Sequence, residues 1–114
     1  MPLIDLTFLN SFTGGNREKV SKYVNLFLQF TPQIIDTMEK NLGEKNYPAL
    51  RTSAHSLKPQ ITYMGIKSAE DLIKTIEANA GDQKNVEQIP QQMEELKSIL
   101  NSAIPELKQA VENS

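Results

Sequence analysis

Apolar residues recur along this chain at helical spacing. At about 100° per residue, Val20, Val24, Phe27, Ile34, Met38 and Leu42 share one face of a segment over 20–42. Leu50, Ala54, Leu57, Ile61 and Met64 follow in steps of four and three, and Ile66, Ala69, Ile73, Ile76 and Ala80 do the same. Ile89, Met93, Leu96, Leu100, Ala103, Leu107 and Val111 line a last, longer segment. No stretch alternates with period two, so no strand is predicted. Four amphipathic helices joined by short connections predict an all-α fold, an antiparallel up-down-up-down four-helix bundle. A short N-terminal helix over 3–12 is expected to cap one end with Leu6, Phe8, Leu9 and Phe12.

Punctuation supports these boundaries. Gly14, Gly15, Gly43, Gly65 and Gly81 fall between the helical patterns and read as C-terminal stops. Asn16 is placed to cap the second helix, Asn46 the third (with Pro48 in its first turn), and Asp82 or Asn85 the last. Pro32, Pro90 and Pro105 lie in or near helical patterns, and each removes a backbone donor, which predicts a kink or a restart. At Pro32 the alternative is a new helix capped by Thr31.

Composition narrows the chemistry. A length of 114 residues suits one domain spanning 1–114. The apolar share of 39% is enough for a small core and is periodic, which argues against disorder. Twelve Lys+Arg against 14 Asp+Glu argue against a nucleic-acid-binding surface. The absence of Cys excludes disulfides, thiolate metal sites and a Cys nucleophile. With one His there is no multi-histidine metal site within a chain, and any imidazole chemistry passes through His55. No apolar run approaches the roughly 20 residues of a membrane helix, and the N-terminus lacks the marks of a signal peptide. The expectation is a cytoplasmic protein, no membrane partner, and, from the initiating Met and full set of helices, a stand-alone chain, with a domain of a longer protein as the alternative.

The segment over 54–60, Ala-His-Ser-Leu-Lys-Pro-Gln, carries the chemistry. With the core face of its helix at 0°, Lys58 lies near about 80°, Arg51 about 100°, Thr62 about 120° and His55 about 140°. Arg51 and Lys58 thus flank His55 one turn below and above. A neutral imidazole is a competent nucleophile at pH 7. Attack on a phosphoryl group gives a phosphoramidate whose charge a neighbouring cation steadies. An ordinary surface His on a solvated basic face would show the same spacing.

The stretch AHSLKPQITYMG over 54–65 resembles the phosphoacceptor motif of histidine-containing phosphotransfer (HPt) domains of two-component phosphorelays. That motif has a His, a Lys three residues on, a Gly at the fourth, and a second Gly about ten after the His. His55, Lys58 and Gly65 match. The resemblance extends over nearly the whole chain. It implies that His55 is the phosphorylated nucleophile through Nε2, that Lys58 positions the phosphoryl group, and that Glu77 on the following helix orients the ring through its other nitrogen. The alternative for Glu77 is an ordinary surface acid. The family's Gly after the Lys is Pro59 here, at about 180° on the wheel, and a local kink is expected there. A tolerated surface kink is the other reading of Pro59. Arg51, Pro59, Gln60 and Thr62 surround His55 and are the expected partner contacts, with a plain surface role the alternative for Gln60 and Tyr63. Phe8 and Phe12 are expected in the core, and Glu94, Glu95 and Lys97 on a solvated face.

The resulting expectation is a phosphocarrier without kinase activity of its own. It takes a phosphoryl group onto His55 from the receiver domain of a hybrid sensor kinase and passes it to a response regulator. No nucleotide motif and no metal-ligand spacing is present, so no cofactor is expected on this chain, and Mg²⁺ is expected only on the partner receiver domain. A monomer is expected. Two rivals stand beside this reading: an all-α adaptor whose His55 is never phosphorylated, which Pro59 favours, and an enzyme using His55 as general base.

Overall fold

The computed structural model describes residues 3–112. These residues form five helices: α1 (Thr7–Phe12), α2 (Arg17–Gly43), α3 (Tyr47–Tyr63), α4 (Lys67–Asp82) and α5 (Ile89–Glu112). One 3₁₀ turn, Val86–Gln88, precedes α5. No strand occurs among the described residues. Each of α2 to α5 packs on its neighbour in sequence, and α2 also packs on α5, which closes a ring of four helices around one core. The 27 residues of α2 span about 40 Å at 1.5 Å each, which sets the 42 Å long axis of a body 23 by 20 Å across.

The core follows the apolar spacing. Leu50, Ala54, Leu57, Ile61 and Met64 from α3 and its end, and Ile66, Ala69, Ile73, Ile76 and Ala80 along α4, are all buried. Ile89, Met93, Leu96, Leu100, Ala103 and Leu107 of α5 join them, with Val111 half-buried. On α2 the buried line is Val24, Phe27, Thr31, Ile35, Met38 and Asn41. Ile34 and Leu42, expected on that face, flank it half-buried. The buried Asn41 amide donates to Ser53 Oγ at 3.0 Å and ties α2 to α3.

Several boundaries differ from the sequence expectation. Asn16 and Asn46 cap α2 and α3, accepting from Lys19 N at 3.0 Å and Ala49 N at 3.2 Å. Neither Asp82 nor Asn85 caps α5. Asp82 ends α4, and Asn85 takes a left-handed conformation ahead of the 3₁₀ turn, where its carbonyl accepts from Gln88 N. Gly43 is the last residue of α2 and Gly81 the last but one of α4, but neither takes the left-handed turn, which falls to Lys45 and Gln83 two residues later. Pro32 does not restart a helix, since α2 runs through it, as α5 runs through Pro105 and α3 through Pro59. Pro90 is in the first turn of α5, where its missing donor has no partner to lose. Lys97 is not merely solvated. It reaches across to Glu39 on α2, and the hydrogen bond and charge of that carboxylate raise its pKa.

The N-terminal helix is shorter than expected, because its first residues spend their backbone groups elsewhere. Leu3 N donates to Glu106 Oε1 at 2.8 Å, and Asp5 N to the Met64 carbonyl at 3.2 Å. Asp5 Oδ1 then accepts from Thr7 N, where α1 begins. This crossing depends on Gly65, whose φ is +65° and where an added Cβ would stand 1.9 Å from the Asp5 carbonyl oxygen. Only Leu9 of the four expected capping residues is fully buried. Phe8 and Phe12 are 50% and 59% exposed rather than core.

Gly65→Ala combines left-handed backbone with a backbone clash and is expected to destabilise the fold by about 2 kcal/mol or more. Gly43→Ala, in open space within a helix, is expected to change stability by about +0.4 to +1 kcal/mol. Urea denaturation of the two variants checks both, and equal midpoints would contradict the role given to Gly65.

Candidate functional site

The site is built where α3 and α4 face each other. His55 lies on α3 next to the buried Ala54, one turn from Lys58 and from Arg51. Glu77 follows the buried Ile76 on α4 and so lies on the flank of that helix's core stripe. His55 Nδ1 is 2.9 Å from Glu77 Oε1, and Lys58 Nζ is 2.9 Å from Glu77 Oε2. One carboxylate therefore holds both side chains, one on each oxygen. The Glu77 side chain is 15% exposed, Lys58 32% and His55 68%.

Electrostatics set the proton positions. Burial pushes the Glu77 carboxyl up, but the hydrogen bonds from Lys58 and His55, with their charges, outweigh it and hold the group below its ordinary 4.5. At neutral pH the carboxylate is ionised and can only accept. The proton of a neutral His55 must then sit on Nδ1, which leaves the Nε2 lone pair on an exposed ring. A carboxylate at Nδ1 also stabilises positive charge on the ring when Nε2 forms a bond.

α3 presents His55 on a crest between two grooves. The groove toward α4 has a volume of about 670 Å³, and Arg51, Lys58, Lys74, Glu77, Gly81 and Asp82 are among its lining residues. His55 is not among them, so the imidazole stands beside this groove rather than inside it. The Arg51 side chain lies across α4 at Gly81, where an added Cβ would meet Arg51 Cδ at 2.7 Å. The groove toward α2, about 550 Å³, is lined by Tyr23, Phe30, Ile34, Ser56, Gln60 and Tyr63 among others. Gln60 thus faces away from Glu77. Pro59 is exposed on the crest. Thr62 is exposed on the flank and its hydroxyl donates to the Lys58 carbonyl at 3.2 Å.

Sequence reasoning missed two features. The first is the seat of Arg51 on Gly81, a glycine that the apolar spacing marks only as a helix stop. The second is an aromatic cluster in which Tyr63 stacks on Phe8 and Phe12 at 5.8 and 6.1 Å, and Phe12 meets Tyr23 edge-on at 5.8 Å. Its members lie on three elements, so no local pattern reveals it.

The family model for the Hpt domain matches residues 22–113. The chain belongs to the Hpt domain family. Hpt domains are helical bundles that act as phosphocarriers in phosphorelays, through histidine phosphotransfer with receiver domains. No curated protein and no solved structure gives a significant match to the chain. Within this Hpt domain His55 is the single histidine. No helix among the described residues is long and apolar enough to cross a membrane.

The lowered Glu77 value has a pH consequence. The folded pKa lies below the unfolded one, so the stabilisation is fully present above about pH 4.5 and is lost as pH falls through the lower folded value. Glu77→Gln is expected to cost about 1 kcal/mol at neutral pH and to flatten that acid limb. Denaturation midpoints of both proteins across the acid range read it, and parallel curves would show that the carboxylate is not paired in solution.

Proposed function

We propose that this Hpt domain accepts a phosphoryl group on His55 Nε2 from the receiver-domain aspartate of a hybrid sensor kinase and passes it to a response-regulator aspartate. The observation that carries this reading is the Glu77 carboxylate shared between His55 Nδ1 and Lys58 Nζ. In the forward step the Nε2 lone pair attacks phosphorus, the P–O bond to the donor aspartate breaks, and the aspartate leaves as a carboxylate. The ring keeps its Nδ1 proton, and Glu77 balances the imidazolium charge formed. Lys58 turns one of its donors to the phosphoryl oxygens, since an ammonium has three and Glu77 needs one. Transfer onward reverses these bonds. Lys58 and Glu77 are positioning groups here, and Arg51, Pro59, Gln60 and Thr62 face the partner. Mg²⁺ belongs to the receiver domain, and the chain itself uses no cofactor.

The scaffold proposed for this task is one domain, a monomer working in the cytoplasm, with an antiparallel up-down-up-down bundle and the N-terminal segment as its cap. Paired contacts support the topology. From His55 to Arg51 on α3 the partner on α4 moves from Glu77 to Gly81, so the chains run oppositely. The bonds of Leu3 to Glu106 and of Asp5 to Met64 support the cap.

Incubation with a phosphorylated receiver domain is expected to place an acid-labile, base-stable phosphate on the chain. His55→Gln is expected to take up none, and Lys58→Ala to take it up about tenfold or more slowly, as for loss of a charge-assisted contact. Label on His55→Gln would sink the proposal. Receiver binding without any transfer would favour the adaptor reading.

A further inference from the structure

Pro59 changes the backbone of the residue that carries the chemistry. In an α-helix the N–H of each residue closes a turn on the carbonyl four residues earlier. For residue 59 that carbonyl belongs to His55. Pro59 has no N–H, and its ring presses on the carbonyl of the residue four before it, which tilts that carbonyl toward solvent. α3 nevertheless runs from Tyr47 to Tyr63 without a break. The His55 carbonyl therefore lies within a continuous helix but lacks the N–H four residues on that would close its turn.

No side chain on α3 replaces that donor. Hydroxyls along the helix back-bond to other carbonyls: Thr52 to Pro48, Ser56 to Ser53 and Thr62 to Lys58. The two positions from which a side chain can back-bond to residue 55 are three and four residues on. They hold Lys58, whose ammonium reaches away to Glu77 on α4, and Pro59 itself. Both His55 and Pro59 are exposed on the crest between the grooves. An exposed acceptor without a protein partner is hydrated when nothing is docked on it. Docking strips that water, and an acceptor buried without a replacement donor is penalised.

We propose that the His55 backbone carbonyl, released by Pro59, is a recognition element that accepts a hydrogen bond from the docking receiver domain. Pro59 thereby determines which receivers exchange phosphate with this chain. The inference rests on the phosphoacceptor reading. A receiver with an N–H or hydroxyl opposite the carbonyl gains a bond. A receiver without one pays the stripping penalty, so discrimination comes from both sides.

The test separates intrinsic reactivity from partner choice. Phosphoramidate, a small donor that transfers its phosphoryl group to His55 with release of ammonia, reports the imidazole alone. A panel of phosphorylated receiver domains reports docking. Pro59→Ala and Pro59→Gly both restore the N–H that occupies the His55 carbonyl, and only Ala keeps a Cβ. Receiver transfer by each variant is read relative to that variant's own rate of phosphoramidate labelling. Both variants are expected to transfer about five- to tenfold more slowly with the unsubstituted chain's fastest receiver, the effect of one hydrogen bond, and to compress the spread of rates across the panel. Rates within twofold of the unsubstituted chain would overturn the proposal. So would an effect confined to Pro59→Gly, which points to bulk, or a matching loss of phosphoramidate labelling, which points to the ring. If the unsubstituted chain labels from neither source, the phosphoacceptor reading itself fails and this inference with it.

Discussion

The Glu77 carboxylate joins α4 to the functional edge of α3, and the character of the site follows from how its two oxygens are used. One oxygen receives His55 Nδ1 and fixes the tautomer, and the other receives Lys58 Nζ and keeps a cation beside the ring. The group is mostly shielded while the imidazole is mostly exposed, so the anchor is protected and the ring is presented to solvent. This works because α3 and α4 pack together, with Ala54, Leu57 and Ile61 of α3 and Ile73 and Ile76 of α4 buried in one core. The packing sets the separation at which a glutamate spans two side chains one turn apart.

The same interface explains two glycines. Gly65 lets Asp5 cross the turn between α3 and α4 at a distance no side chain tolerates, and this ties the N-terminal segment to the end of the bundle that holds α3's last turn. Gly81 lets Arg51 lie flat across α4, one turn along from Glu77. Phe8 and Phe12, placed by that crossing, stack on Tyr63 instead of entering the core. Their rings stay partly exposed beside the apolar groove, while the polar groove opens on the other side of His55.

Where sequence patterns and structure agree, local periodicity carries the information. The core stripes of α3 and α4 and the Asn16 and Asn46 caps depend on residues a few positions apart. Where they disagree, a distant group intervenes. Residues 3–6 are not helical because Glu106 and Met64 take their backbone donors. Lys97 leaves its solvated face because Glu39 stands opposite it on α2. Gly43 and Gly81 keep right-handed backbone at the ends of their helices, and Lys45 and Gln83 take the left-handed turn further on.

The sequence by itself determined the helical class, four amphipathic helices with the core faces of α3, α4 and α5, and the single imidazole with a lysine three residues beyond it. These follow from helical spacing and residue chemistry, which need no knowledge of what packs where. The tertiary structure decided that Glu77 meets both His55 and Lys58, that Arg51 rests on Gly81, and that two phenylalanines stay outside the core. Each joins residues at least 20 positions apart or on different elements, and only the packing of one helix on another brings such groups within hydrogen-bond or van der Waals reach.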